Sequence, residues 1–479
     1  MKTKAPLQQL TDFSKIMNRA FNSFPALVVI LSLLGAGVAS AQNSDVSPYS
    51  RYGIGDLQDQ NSAINFGMGG TGIAYHNDAS TPFMVNLKNP ASYVYGFIPV
   101  LDSAGTGGLK MSAFEAGIVD NILSLNSEGQ SSKSNNAYLS YVCLNIPVSR
   151  HFGLALGLTP LSSEGYNITT SGYVDSITPS GATVPGHTPV QTQYQGTGGI
   201  NKVYVGLAYA PIKNLSIGGN FSYLFGNITN EEDIYFSPNA AALNTQKIEN
   251  IGIHSFDADF GIMYTFDIGH NIDHPEKDWH ITIGATIAPS MPLSASYSIF
   301  SDANYLSGGS SYTIDTLQDS SSNGKIKIPL TYGFGITIKR GDNWTLSIDR
   351  TVQNWSQYSY FGQTENLSNS TQWGFGLQYV PNKDFPKTYF QRIHYRIGAS
   401  YGLSYLDINN TQLVNEYVSL GVGLPIGPTN PFAHPAMLNL ALQVGSLGTT
   451  SNNLLQQNYV KLQAAFTFDD HWFDKRKFQ

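Results

Sequence analysis

Between Tyr395 and Tyr405 the chain alternates without exception: Tyr395, Ile397, Ala399, Tyr401, Leu403 and Tyr405 are interleaved with Arg396, Gly398, Ser400, Gly402 and Ser404. Successive residues of a strand face opposite sides of a sheet, so this stretch has one apolar face with tyrosines at its ends and one small, polar face. The same period of two recurs at Val203, Val205, Leu207 and Tyr209, at Ile281, Ile283, Ala285 and Ile287, and at Trp344, Leu346 and Ile348. Late in the chain it returns at Val418–Leu424, Leu438–Val444 and Val460–Phe468. Strands with an apolar outer face and a small, polar inner face suit a barrel wetted by lipid outside and by water or a plug inside.

The links between these segments are of two kinds. Compact ones, often led by proline, lie near 147–152, 211–215, 267–280, 339–344, 380–394 and 425–436. Long polar ones lie near 126–136, 160–190, 227–250, 294–325, 356–371, 406–416 and 446–458. Taken as inner turns and outer loops, seven outer loops flanked by two strands each give 14 strands. The expected fold class is therefore all-β, a 14-stranded antiparallel transmembrane β-barrel, with an N-terminal plug. The plug is residues 42–110, which lack alternation but carry Phe66, Met68, Phe83, Met84, Tyr93 and Tyr95, more large apolar groups than a disordered arm holds. The barrel is expected over 111–468, followed by a periplasmic C-terminal extension at 469–479.

Phe24–Val38 is a short uncharged apolar run with basic residues upstream and Ala39-Ser40-Ala41 behind it, the pattern of a secretory signal peptide spanning 1–41. Met17-Asn18-Arg19 offers an alternative translation start with a conventional short basic region. Removing 1–41 takes four of 26 basic and one of 33 acidic residues, leaving 22 against 32 and a net charge of −10. That balance argues against nucleic acid as a partner. A charged fraction of 12% is about half that of an ordinary soluble protein, which again fits the outer membrane of a Gram-negative bacterium. Cys143, the single cysteine, excludes a disulfide framework. It is out of phase with Val142, Leu144 and Ile146 and should face inward.

Gly67-Met68-Gly69-Gly70-Thr71-Gly72-Ile73-Ala74, then Asn77-Asp78-Ala79-Ser80, then Asn89-Pro90-Ala91-Ser92 resembles the FadL/TodX family of outer-membrane hydrophobic-compound channels. A second match runs from Pro329 to Tyr358, through Trp344-x-Leu346-x-x-Asp349 and Trp355-Ser356. Ser47–Asp56 (SPYSRYGIGD) and the tail Asp469–Gln479 depart from that pattern and mark a divergent branch. The resemblance implies a plugged barrel that takes up hydrophobic or amphipathic small molecules passively, of the long-chain fatty-acid or aromatic-hydrocarbon type. Its ligand and hatch residues would be Phe66, Met68, Gly69, Gly70, Phe83, Met84, Asn89, Pro90 and Ala91. The same residues can equally serve only to pack the plug on the wall.

The alternative function is a non-transporting barrel subunit or scaffold of an outer-membrane secretion or assembly machine, favoured by SPYSRYGIGD and the C-terminal extension, both expected to be periplasmic in this topology. No enzyme is expected, since no G-x-S-x-G is present and the histidines are scattered. Neither catalytic residues, a metal nor a cofactor is expected. His270, His274 and His280 with Asp267, Asp273, Glu276 and Asp278 read as a solvated turn. The expected partners are a hydrophobic ligand, outer-membrane lipid and a periplasmic or outer-membrane protein.

Overall fold

A computed structural model describes residues 47–76, 84–99, 108–127, 130–177, 183–236, 242–269, 278–307, 310–341, 343–382, 386–426 and 436–471. The signal segment, Phe83, the Asp78-Ala79-Ser80 element, His270, His274 and residues 472–479 lie outside the described residues.

Two short strands, β1 (Asp56–Leu57) and β2 (Phe97–Pro99), flank a helical turn α1 (Ala63–Gly67). Then follow β3 (Gly108–Ser127), β4 (Gln130–Pro147), β5 (Phe152–Ile177), β6 (Thr183–Ile212), β7 (Leu215–Phe236), β8 (Asn244–Ile268) and β9 (Trp279–Ala288). A hairpin, β10 (Pro292–Ser307) and β11 (Ser310–Lys327), precedes β12 (Thr331–Arg340) and β13 (Trp344–Gln353). After two-residue strands β14 (Ser359–Tyr360) and β15 (Gln363–Thr364) come β16 (Ser370–Tyr379), β17 (His394–Ile408), β18 (Thr411–Ile426), β19 (Ala436–Leu447) and β20 (Gln456–His471).

Pairing runs β3 to β9 in order, then β9–β12, β12–β13, β13–β16 and on to β20, which pairs with β3 from Gln456↔Asn126 to His471↔Met111. The result is the closed 14-strand antiparallel barrel. Closure leaves no sheet edge to lipid where strands pair on both sides, the condition a spanning sheet must meet. The expected facing holds where it can be checked most simply. Ile397 and Leu440 point outward and are exposed, whereas Ser400 and Cys143 are buried inside.

Three expectations need correcting. Most of the long outer loops are strands that continue past the membrane, so β5 is 26 residues long and β6 is 30. With water on both faces they have no reason to alternate, and period-two reading misses them. Tyr405 does not belong to the outer girdle: the β17–β18 register shifts between Leu403 and Asp407, which turns Tyr405 inward to donate to the Gly55 carbonyl at 3.1 Å. Finally, Asp469–His471 continue β20, which pairs with β3 down to Met111, while Gly108–Lys110 at the start of β3 pair with β2 instead.

Candidate functional site: the plug and a seam in the wall

The described N-terminal segment runs down the lumen from the end with long links to the end with compact ones. At the upper end, Ser47 caps a 3-10 turn over Pro48–Arg51, and its N–H donates to the Gly165 carbonyl at 2.9 Å. The Tyr49 hydroxyl donates to the Leu455 carbonyl at 2.6 Å and accepts from the Leu455 N–H. Tyr49 and Ile54 join Trp355, Tyr358, Leu367, Tyr405, Leu406 and Leu454 in the largest apolar cluster, in which Trp355 stacks on Tyr405 at 4.6 Å. SPYSRYGIGD therefore lies among the long links, inside the barrel. Its turn and its apolar groups are satisfied there, so it does not offer the periplasmic surface that the sequence suggested.

Midway, Ser62 caps α1 by accepting from the Asn65 N–H. The Asn65 amide in turn donates to the Thr71 carbonyl at 2.6 Å, which closes the Gly-rich stretch into a compact loop. The wall meets this loop with glycines. An ideal Cβ on Gly398 would sit 2.0 Å from the Gly69 nitrogen, and one on Gly376 2.5 Å from the Met68 carbonyl oxygen. Gly69 itself has φ +67 and would place a Cβ 2.4 Å from the Phe375 oxygen, so both backbone conformation and space require glycine there.

Polar wall residues bind the plug backbone. Asp349, within the late-strand motif, accepts from the N–H groups of Gly72 at 2.6 Å and Ile73 at 2.8 Å. Glu115 accepts from the Tyr141 hydroxyl, which accepts from the Ala63 N–H at 2.9 Å. Lys339 donates to the His76 carbonyl at 3.2 Å, while Arg396 ties wall strands to one another, donating to Gln378 of β16 and Asn439 of β19 at 2.7 and 3.0 Å. Sequence reading noticed Asp349 as part of the late-strand motif and Arg396 only as a strand position. Nothing local shows what Asp349 binds, because Gly72 and Ile73 lie 277 and 276 residues away.

The expected hatch residues fall into two groups. Phe66, Met68, Gly69 and Gly70 belong to α1 and the Gly-rich loop, where Met68 packs with Ile64, Tyr75 and Met84, and Phe66 and Met84 are buried. Asn89, Pro90 and Ala91 form a second anchor lower down. The Asn89 amide donates to the Ile73 carbonyl at 2.7 Å while its side-chain oxygen accepts from the Ala91 N–H at 3.0 Å, and Pro90 starts a 3-10 turn over Pro90–Gly96. Ile73 links the two groups. The Lys213, Asp267 and His280 turn is exposed, with Asp267 and His280 2.8 Å apart.

One stretch of wall departs from full pairing. β4 pairs with β5 only from Val142↔Leu158 to Pro147↔Gly153, although β4 continues upward against β3 to Gln130. The β5–β6 register shifts between Pro160 and Ser162, and above that point β5 bonds to the plug instead. Asp56 and Leu57 pair with Ser163 and Ser162, the Gln58 N–H donates to the Leu161 carbonyl at 3.0 Å, and the Gln60 amide donates to the Pro160 carbonyl at 2.7 Å. Among the described residues no strand pairs with the β4 edge at 130–141. The wall has a lateral seam there, with plug residues 56–60 beside it.

A family model described as BamG matches residues 24–479. The chain belongs to the BamG family. No curated protein matches this BamG-family chain. Among solved structures, it is similar in fold to the Ralstonia pickettii toluene transporter TbuX, at 14% identity over 86% of this chain and 99% of that one, with a TM-score of 0.50. It is likewise similar to a Pseudomonas aeruginosa FadL homologue, at 11% identity over 86% and 98%, also with a TM-score of 0.50. The BamG-family chain is thus a FadL-like outer-membrane β-barrel.

Proposed function

We propose that this chain is a sealed barrel that serves as a subunit or scaffold of an outer-membrane secretion or assembly machine and conducts nothing itself. The observation that carries the reading is the filling of the upper lumen by the chain's own Ser47–Leu57 segment. Tyr49 and Ile54 cover the apolar surfaces of Trp355, Tyr358 and Tyr405 that a hydrophobic ligand would otherwise occupy. The plug below is fixed by buried, charge-assisted hydrogen bonds, the stronger kind, and by glycine-to-backbone contacts that leave it no room to slide. Extraction in mild detergent, followed by separation by size, should yield a stoichiometric protein complex. A lone barrel carrying lipid would overturn the proposal.

The second reading is passive uptake of hydrophobic or amphipathic small molecules, of the long-chain fatty-acid or aromatic-hydrocarbon kind. The seam between β4 and β5 favours it, since an opening in the wall gives an apolar molecule a sideways route. In that case Phe66, Met68, Gly69, Gly70, Phe83, Met84, Asn89, Pro90 and Ala91 would contact the ligand as the plug shifts. Locking the plug separates the two. An ideal Cβ on Gly67 lies 3.5 Å from the Ala441 Cβ, within the separation a disulfide spans, so Gly67→Cys with Ala441→Cys, in a Cys143→Ser background, is placed to cross-link plug to wall. Oxidation should leave partner retention unchanged if the barrel is a scaffold. Uptake that stops on oxidation and returns on reduction would support the channel.

A further inference from the structure

We infer that the outer wall formed by β20, β3 and β4 is a docking face for a second membrane-spanning protein, and that Asp120 is the point at which a basic side chain of that protein is received. This deepens the machine-subunit reading and rests on it. The register of the wall places the carboxyl. Asp120 lies opposite Leu462, and the lateral row continues through Leu442, Leu420, Ile397 and Leu377. Leu462, Leu420 and Ile397 are exposed on the outer surface, while Val119 and Asn121, on either side of Asp120 in β3, are buried inside. Asp120 therefore faces outward. The row above it holds Ile122, Val460, Val444 and Val418, and the row below Ile118, Ala464, Leu440 and Val422. An ionisable group thus stands within the apolar band, bracketed by aliphatic side chains above, below and to one side.

Such a group is costly in lipid and, where it occurs, marks a functional contact. An aspartate is too short to reach the headgroups as a lysine or arginine does, and among the described residues it has no hydrogen-bond or ion-pair partner. Its surroundings suit a protein better than acyl chains. Ala137 lies opposite it on β4 and Ala464 diagonally on β20, small residues of the kind that let another backbone approach closely in a membrane. Asn135, one row up on β4, is exposed on the same face and adds an amide to it. Just above, a groove of about 840 Å³ lined by Ile122, Val460, Asn458, Ser446 and Lys133 gives the wall relief for a neighbour's side chains. A lipid chain offers Asp120 neither a positive charge nor a hydrogen-bond donor at this depth. A lysine or arginine from a neighbouring strand or helix offers both.

The test compares the unchanged protein with Asp120→Leu and Asp120→Glu, each produced in its native outer membrane, extracted in mild detergent and separated by size. Asp120→Leu should lower the amount of co-migrating partner protein at least about tenfold while leaving the barrel heat-modifiable. The same substitution should raise the urea midpoint of the stripped barrel refolded in phosphatidylcholine vesicles, because the lone barrel gains an aliphatic residue where its row already has them. Asp120→Glu, which keeps the charge, should retain the partner. A photo-cross-linking residue in place of Ala137 should join the barrel to that same protein in intact cells, and should fail to do so in the Asp120→Leu background. Partner retention unchanged in Asp120→Leu would sink the docking face and spare the subunit reading. Cross-links from position 137 to lipid alone would make lipid the occupant and likewise overturn the inference; a lone barrel from every preparation would sink both.

Discussion

The two sides of this barrel are built to different heights. β12, β13 and β16 are ten residues each, about what a tilted strand needs to cross the hydrocarbon core. β5, β6, β7 and β8 run to 26, 30, 22 and 25 residues, and β8 carries the additional hairpin β10–β11 on its upper half. On the low side nearly every outward residue meets lipid, as with Phe334, Ile336, Leu346 and Ile348, which are exposed and apolar. On the tall side the upper strands stand in water and expose both faces, so that β11 reads Ser-Ser-Tyr-Thr-Ile-Asp-Thr-Leu-Gln-Asp. Hydrophobic facing thus reports lipid contact, and strand length reports how far the sheet continues after lipid contact ends.

The sharpest way to break that comparison is a charge placed at equal exposure on each side. Ile336→Lys on β12 should cost roughly 2–4 kcal/mol if it sits near the bilayer midplane, seen as loss of the heat-modifiable band. Ile314→Lys on β11, equally exposed, should stay within about 0.5 kcal/mol. Equal damage would mean that the upper sheet also lies in lipid.

The next effect concerns the plug and its wall. Gly398→Val should cost about 1–3 kcal/mol or shift the plug, because the added atoms meet the Gly69 backbone. Gly172→Val on the tall side, where a Cβ meets nothing within 4 Å, should leave thermal unfolding unchanged. Asp349→Ala strands two buried N–H groups and should lower stability by about 1–3 kcal/mol each, with faster exchange at Gly72 and Ile73 than at Ser47–Leu57. Exchange rising equally at both ends of the plug would show that it loosens as one body.

The smallest effect is a pH dependence at the upper seal. Burial raises the Glu365 carboxyl above its ordinary 4.5, opposed by the hydrogen bond it accepts from the Gly53 N–H at 3.3 Å. A carboxyl raised in the folded state penalises folding above its folded value, and the penalty disappears as pH falls toward the unfolded one. After correction for intrinsic rates, the Arg51–Gly55 amides should exchange more slowly at low pH than at neutral pH, and Glu365→Gln should remove most of the difference. A pH effect that persists in Glu365→Gln assigns it to another group.

Sequence alone determined the membrane strands, their facing and their number, because lipid on one side and a filled lumen on the other impose a local period of two that each strand displays by itself. It also marked the plug, through a Gly-rich stretch and an Asn-Pro-Ala element whose composition is unusual wherever it lies. What it could not display were the contacts made between distant parts of the chain. Asp349 looks like any polar strand residue until Gly72 and Ile73 arrive above it, and the SPYSRYGIGD turn carries no sign of which end of the barrel it will fill. The bulge that turns Tyr405 inward and the departure of β5 from β4 are register choices, in which a one-residue shift reverses every face beyond it. Such choices depend on which backbone competes for an edge, and at the seam the plug outcompetes the neighbouring strand only once both are folded together.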